Sequence, residues 1–92
     1  MDTCIFDKSL LWSAPNPFSG KTQIHFYLMM ESDIQLNVFN NVGQMIYSIV
    51  ETNKQKGAVK FEFDASDLNS GVYFYQVVVN GVPTGCQKMI IL

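Results

Sequence analysis

The chain has 92 residues, of which 48% are hydrophobic and 15% charged, and its formal net charge is −2. This length supports one domain with a modest core, and the high apolar content excludes an intrinsically disordered chain. No apolar run approaches the roughly 18 residues of a membrane-spanning helix, so no transmembrane segment is predicted. The lysine residues form no cluster, so we expect no nucleic-acid partner.

The start of the chain leaves the location of the protein open. Residues 1–8 lack the basic start and the apolar core of a secretory signal. Two alternatives remain: a cytosolic protein, or a fragment of a larger precursor whose signal lies upstream. Residues 1–14 are predicted to be a linker or a loosely attached first strand, and residues 15–92 one domain. The side chains expected to be buried in the first segment are Leu10, Leu11 and Trp12.

The two cysteines, Cys4 and Cys86, lie near opposite ends of the chain. They form no Cys-x-x-Cys pair, so the sequence indicates neither a metal site nor a redox motif. A disulfide between them would require an exported chain and two positions within bridging distance. Two free thiols are the expected state, and the disulfide is the alternative.

Apolar residues recur with a period of two over most of the chain, which predicts β-strands. Residues 22–28 and 34–39 alternate between apolar and polar side chains. The Asn and Gly residues of the segment 40–43 predict a tight turn, and the apolar run at 45–50 completes a hairpin. The polar residues 51–57 are predicted to form an exposed loop.

The second half of the chain continues this pattern with clearer signals. Residues 59–63 alternate strictly, residues 64–70 form a connection rich in turn-forming side chains, and residues 71–79 are the most strand-like segment. Asn80-Gly81 predicts a type I′ hairpin turn. Pro83 cannot donate a backbone hydrogen bond, which indicates an edge strand, and the chain ends on a short final strand.

Six or seven short strands without a convincing helix predict an all-β fold, an antiparallel β-sandwich of the immunoglobulin or fibronectin-like type. Leu68, Gly71 and Tyr73 match the tyrosine corner, in which a tyrosine hydroxyl bonds back to the connection before its strand. The side chains predicted to form the core are Ile24, Phe26, Leu36, Val38, Phe61, Phe63, Tyr73 and Val77.

Candidate catalytic residues are few. His25 is the single histidine, and a catalytic imidazole needs a nucleophile or a carboxylate that orients it. Its neighbours on the same face of the strand are Gln23 and Tyr27, so a surface histidine is the preferred interpretation. We therefore predict that the domain is not an enzyme, has no catalytic residues and binds no cofactor.

Oxygen-bearing side chains gather in the connection at 64–70. As calcium ligands they would be Asp64, Asp67, Asn69 and Ser70. Their spacing does not match a calcium loop that ends in a bidentate glutamate. A turn in which Asp64 or Ser66 accepts backbone hydrogen bonds is preferred, and no metal is predicted.

Aromatic side chains are frequent in the predicted strands and have two interpretations. The five in adjacent strands are Phe61, Phe63, Tyr73, Phe74 and Tyr75. Such a group is typical of a core, because each ring buries a large apolar area. The alternative is a platform on which sugars stack, for which Tyr27 and Tyr47 remain weaker surface candidates.

Four motifs follow one another along the chain. They are Pro15-Asn16-Pro17-Phe18 with Gly20 and Thr22, Ile34-Gln35-Leu36-Asn37-Val38-Phe39-Asn40 with Val42-Gly43-Gln44, the segment from Phe63 to Tyr75, and Lys88-Met89-Ile90-Ile91-Leu92. In this order and spacing they resemble the C-terminal sorting domain, type A, of the type IX secretion system, also called the Por secretion system.

The resemblance implies a C-terminal secretion signal that targets an attached cargo across the outer membrane of a Bacteroidetes-type bacterium. The implied partners are the outer-membrane translocon, a surface sortase that cuts before Pro15, and an N-terminally fused cargo. The implied localisation is export, with the periplasm in transit and then the cell surface or the extracellular space. The implied translocon-recognition residues are Gly71, Tyr73, Lys88, Met89, Ile90, Ile91 and Leu92.

The terminal segment 88–92 is short and apolar, and we expect one of its edges to lack a partner strand. An unpaired strand edge is a template for strand addition, which is a common way to recognise an extended signal. The alternative is that the segment only completes the sandwich.

Two other functions remain open. A fibronectin-like sandwich also serves as a spacer or as a carbohydrate-binding module of a secreted enzyme or adhesin, and the fold does not choose among these roles. A sugar-binding module would display exposed coplanar aromatic rings, whereas a sorting domain would bury them. A free-standing cytosolic domain is a third, weaker alternative.

Overall fold

Seven β-strands and no helix make up residues 11–92, the part of the chain that the computed structural model describes. The strands are β1 (Leu11–Ala14), β2 (Lys21–Leu28), β3 (Ser32–Phe39), β4 (Met45–Lys54), β5 (Gly57–Asp64), β6 (Gly71–Val79) and β7 (Val82–Ile91). Over these residues there is no helix that could span a membrane. The predicted all-β class is confirmed.

The strands form two sheets that pack face to face. One sheet has the order β1-β2-β5 and the other the order β4-β3-β6-β7. All neighbouring strands run antiparallel, and β3 pairs both with the strand that follows it and with the distant β6. The predicted antiparallel sandwich is therefore confirmed, and Pro83 lies as expected on an edge strand, β7.

The core between the sheets contains every side chain that the sequence predicted for it. These are Ile24, Phe26, Leu36, Val38, Phe61, Phe63, Tyr73 and Val77, none of them more than 8% exposed. Strand geometry explains the success, because alternate side chains point to opposite faces of a sheet. Leu11, Phe18, Met89 and Ile91 complete the same cluster.

Two local predictions about turns are also confirmed. Asn80 and Gly81 have φ angles of 49° and 83°, as a type I′ turn requires at both central positions. The Tyr73 hydroxyl donates a hydrogen bond of 2.8 Å to the carbonyl of Asn69, which makes the predicted tyrosine corner.

β4 is longer than the sequence indicated. Residues 51–54, predicted to lie in an exposed loop, belong to this strand, and Lys54 still pairs with Ser32 of β3. The Asp33 carboxylate accepts a hydrogen bond of 2.9 Å from the backbone N–H of Asn53. The polar side chains of residues 51–54 indicated a loop because they are suited to solvent. This end of β4 is indeed solvated, but hydrogen bonds hold it in the strand conformation.

The first strand is part of the sandwich. β1 pairs with β2 over its whole length, and Leu11 is buried as expected. The prediction is wrong for Trp12, which is 45% exposed, because its side chain lies on the outer face and stacks on His25 with 4.0 Å between ring centroids. Leu10 lies outside the described residues, and the division of the chain at residue 14 stays a prediction.

Cys86 is buried and disulfide-bonded. The expectation of a free thiol is therefore wrong at this position. The other cysteine of the chain, Cys4, lies outside the described residues.

Candidate functional site

The two segments that the family resemblance singles out lie side by side. β6 and β7 are neighbouring strands, and their register places Gly71 opposite Ile91 and Tyr73 opposite Met89. The start of β6 and the end of β7 therefore form one continuous surface at the end of the four-stranded sheet. We call this surface the terminal ladder; it comprises residues 71–75 and 88–92.

Side chains of the terminal ladder divide between core and solvent. Met89 and Ile91 are buried and anchor the strand, whereas Lys88 is exposed and Ile90 half-buried. Leu92 is 68% exposed. The side chains of Lys88 and Leu92 are therefore the parts of the segment 88–92 that a partner protein can reach most easily.

The outer edge of the terminal ladder has a partner within the chain. The backbone N–H of Phe18 donates to the carbonyl of Ile90 at 3.0 Å, and the N–H of Leu92 donates to the carbonyl of Phe18 at 2.8 Å. The Asn16 amide donates to the carbonyl of Lys88 at 3.0 Å and accepts from the N–H of Ile90 at 2.9 Å. The prediction that an edge of this segment lacks a partner is therefore wrong.

We call residues 15–18 the clamp segment; its contacts with β7 are made by Asn16 and Phe18. Phe18 is buried in the core, which fixes the segment beside β7. Pro15 and Pro17 carry no backbone N–H, so a side-chain amide at Asn16 supplies the hydrogen bonds that a strand backbone would make. The Thr22 hydroxyl donates to the carbonyl of Pro15 at 2.6 Å and holds the other end.

Sequence reasoning missed the role of Asn16 and Phe18. The signal was present, since Pro15-Asn16-Pro17-Phe18 was the first motif of the family resemblance. The motif did not indicate which strand Asn16 would contact, because its hydrogen bonds with β7 span 72 and 74 residues of sequence.

β1 is tied to the four-stranded sheet by two further hydrogen bonds. The Gln87 amide donates to the carbonyl of Leu11 at 3.1 Å, and the Tyr75 hydroxyl donates to the Ser13 hydroxyl at 3.0 Å. Burial raises the pKa of Tyr75 above its ordinary value, and the hydrogen bond with Ser13 opposes that rise. These contacts join the two sheets next to the terminal ladder.

Gly71 begins β6 with a φ of 148°, in a region that side chains with a Cβ rarely adopt. An added Cβ would meet no atom within 4 Å, so the backbone conformation and not a lack of space requires glycine here. The sequence placed Gly71 at a strand entry without indicating this conformation.

Among the oxygen-bearing side chains of the connection at 64–70, Asp64 stabilises the turn, as the preferred interpretation expected. The Asp64 carboxylate accepts hydrogen bonds from the backbone N–H and the hydroxyl of Ser66, and these bonds, the hydroxyl first, lower the pKa of Asp64. The Asn69 carbonyl is engaged by Tyr73. Within residues 11–92, no group of three or more His, Cys, Asp or Glu side chains could hold a metal ion.

The aromatic side chains belong mostly to the core. Phe61, Phe63, Tyr73 and Tyr75 are buried and Phe74 is half-buried. Tyr27 is 49% exposed, whereas Tyr47 packs its ring edge-on against Phe63 with 5.4 Å between centroids. His25 lies on the outer face against Trp12, and its partner on β5 is Lys60, not a carboxylate.

Comparison with known proteins gives one family and one fold. The family model described as the secretion system C-terminal sorting domain matches residues 14–92. The crystal structure of dimeric latent PorU from Porphyromonas gingivalis is similar over 89% of this chain, with 18% sequence identity and a TM-score of 0.72. The matched region is 9% of the PorU chain. Because the sequence identity is 18%, this similarity shows the fold alone. No curated protein matches the sequence.

Proposed function

The chain belongs to the family of secretion system C-terminal sorting domains, and we propose that it carries an N-terminally attached cargo through the outer-membrane translocon of the type IX system. Membership of the family implies export toward the cell surface or the extracellular space. In this proposal the cargo crosses the periplasm, and a surface sortase then separates it from the domain. The domain itself performs no catalysis.

One observation carries the proposal. The resemblance assigns Gly71, Tyr73 and the segment 88–92 to translocon recognition. Residues 88–91 pair with β6 in one register, in which Gly71 and Tyr73 stand opposite Ile91 and Met89, and Leu92 follows directly. The clamp segment, which comes from the first motif of the family, covers the edge of that ladder. Three of the four family motifs thus meet at one end of the sandwich, as expected if together they form the surface that is recognised.

The state of Cys86 supports an exported chain. Cys86 is disulfide-bonded, and disulfides persist in oxidising compartments such as the bacterial periplasm and the cell surface. A cytosolic domain, the weaker alternative, would more often keep its thiols reduced.

The fold also suggests where the sortase cuts. β1 is fully paired, and its Leu11 is buried. A cut between Leu11 and Pro15 would have to open this strand, whereas proteases act on accessible, unpaired chain. We therefore propose that the cleaved bond lies upstream of Leu11.

A carbohydrate-binding role has less support. Trp12 and Tyr27 are both exposed on the outer face of the three-stranded sheet, but one face of the Trp12 ring is covered by His25 at an interplanar angle of 13°. The Trp12 face that contacts His25 is not available for stacking on a sugar. Most other aromatic rings lie in the core.

The proposal is tested with exposed residues of the terminal ladder, so that folding and recognition are separated. The domain is fused to a periplasmic reporter in a bacterium that uses type IX secretion, and surface and periplasmic reporter are measured. We expect Lys88→Glu combined with Leu92→Asp to leave the reporter in the periplasm. Val82→Asp, an equally exposed change at the far end of β7, is the matched control and is delivered normally.

Two outcomes would contradict the proposal. If the unaltered domain leaves the reporter in the periplasm, it is not a sorting signal for this route. If both variants are delivered normally and unfold like the unaltered domain, the exposed side chains of the terminal ladder are not recognised.

A further inference from the structure

Cys86 points away from the core, to the outer face of β7. Its neighbour Gln87 points toward β1, where it donates a hydrogen bond of 3.1 Å to the carbonyl of Leu11. Successive side chains of a strand point to opposite faces of a sheet, so Cys86 shares the outer face with the exposed Lys88. Cys86 is nevertheless only 2% exposed, which indicates that its side chain is covered on that face.

The disulfide of Cys86 has one candidate partner within the chain. Cys86 is disulfide-bonded, and the sequence contains one further cysteine, Cys4. Six residues, 5–10, separate Cys4 from Leu11, the first residue of β1. Leu11 is held beside Cys86 by the hydrogen bond with Gln87. The seven residue steps from Leu11 back to Cys4 can span about 23 Å, so Cys4 can reach Cys86 across the edge of β7.

We propose that Cys86 is bonded to Cys4, and that this bond places the sortase cut on the N-terminal side of Cys4. The inference rests on the proposed sorting function, and it narrows the position of the cleaved bond from upstream of Leu11 to upstream of Cys4. The disulfide draws the stretch 5–10 around the edge of β7 onto the outer face, which accounts for the burial of Cys86.

The first reason for this position is covalent. A cut within the stretch 5–10 hydrolyses one peptide bond, but the new carboxylate and the new amine stay joined through the bond between the two sulfurs. The cargo then remains attached to the domain until a reductant supplies two electrons and two protons to the disulfide. A cut on the N-terminal side of Cys4 frees the cargo by hydrolysis alone.

The second reason is the access that a protease needs. Proteases act on accessible, unpaired chain, which has to be drawn into their cleft. The stretch 5–10 is tied to β7 by the disulfide at one end. At its other end it is tied to β1, whose Leu11 is buried and paired with Phe26. The stretch therefore resists being drawn out, whereas the chain before Cys4 is held at one end only.

The pairing is tested with trypsin on the purified 92-residue chain, because Lys8 lies within the stretch 5–10. After brief digestion, a cut after Lys8 should add the mass of one water to the chain without loss of residues 1–8. A dithiol reductant should then release that peptide, the dithiol being oxidised as the two cysteines become thiols.

The restraint on the stretch is tested with Cys4→Ala, and Thr3→Ala, which keeps the disulfide, is the matched control. We expect the cut after Lys8 to be about tenfold slower in the unaltered chain and in Thr3→Ala than in Cys4→Ala, because proteolysis follows how often a segment opens. Lys56 is exposed between β4 and β5 and should be cut at the same rate in all three chains. Should Cys4→Ala fail to fold, release of residues 1–8 by the reductant still decides the pairing.

The position of the cut is measured in a bacterium that uses type IX secretion, with a cysteine-free reporter fused before residue 1. Mass spectrometry of the reporter released at the cell surface should place its last residue before Cys4. The amount of released reporter should be the same with and without the dithiol reductant.

Three results would overturn the inference. Loss of residues 1–8 without reductant would mean that Cys4 is not the partner of Cys86. Equal rates of cutting after Lys8 in the folded Cys4→Ala variant and the unaltered chain would mean that the bond does not restrain the stretch. A released reporter that ends within residues 4–10 would place the cut inside the disulfide-closed loop. An unaltered fusion that stays in the periplasm contradicts the sorting function instead, and the trypsin results still decide the disulfide.

Discussion

Tyrosine hydroxyls mark two places where this small core accepts a polar group. Tyr73 donates to the Asn69 carbonyl and closes the corner before β6, and Tyr75 donates to Ser13 and joins the two sheets. Buried polar groups are stable only when hydrogen-bonded, and no buried side-chain nitrogen or oxygen in residues 11–92 lacks a partner. Each hydroxyl therefore fixes how its strand sits relative to its bonded partner, the connection before β6 for Tyr73 and β1 for Tyr75. Apolar packing alone is less directional.

The raised pKa of Tyr75 predicts how stability changes in alkali. An unfolded tyrosine ionises near pH 10, whereas burial makes folded Tyr75 keep its proton to higher pH. Above about pH 10 the folded state therefore binds more protons than the unfolded state, and stability falls as pH rises. We expect Tyr75→Phe to lose less stability than the unaltered chain between about pH 9 and pH 11, measured by urea unfolding.

Tyr27→Phe is the control, because Tyr27 is 49% exposed and lies on β2 outside the core. Its stability should follow the unaltered chain across the same pH range. Parallel pH curves for Tyr75→Phe and the unaltered chain would contradict the assignment.

At the scale of elements, the sequence predicts what depends on neighbours along the chain. Alternation at residues 59–63 places β5, and Asn80-Gly81 places the turn between β6 and β7. Contacts between distant segments are not visible in such patterns. β1 is a regular strand because it pairs with β2. The polar end of β4 is a strand in part because the Asp33 carboxylate accepts a hydrogen bond from the backbone N–H of Asn53. The contacts of the clamp segment with β7 are the largest feature that the sequence did not predict, because they join residues more than 70 positions apart.

The clamp segment gives a testable prediction about the edge of β7. Asn16→Ala removes two hydrogen bonds to β7, and each such bond contributes about 1 kcal/mol. We expect the free energy of unfolding to fall by about 1–2 kcal/mol, and hydrogen exchange at the amide of Ile90 to accelerate more than exchange elsewhere in β7. Asn41→Ala, an exposed change in the β3–β4 turn, should stay within about 0.5 kcal/mol. Unchanged exchange at Ile90 would mean that Asn16 does not hold this edge.

At the scale of the whole molecule, the sandwich has one closed side and one open side. β1, the clamp segment and β7 are joined by hydrogen bonds on one side, whereas β4 ends the four-stranded sheet with an unpaired edge on the other. Three of the four family motifs contribute to the closed side, whereas the motif at 34–44 lies on β3 and on the turn that leads into β4.

Shortening the chain tests whether β1 belongs to the domain. A chain that begins at Leu11 keeps every described strand, whereas one that begins at Pro15 loses a buried leucine and leaves Gln87 and Tyr75 without their partners. We expect the second chain to be less stable by about 3 kcal/mol or more, from the cavity and the unpaired polar groups. Both chains carry Cys86→Ala, so that the disulfide does not differ between them. Urea unfolding measures the difference, and equal stability would place the start of the domain at Pro15, as the sequence alone indicated.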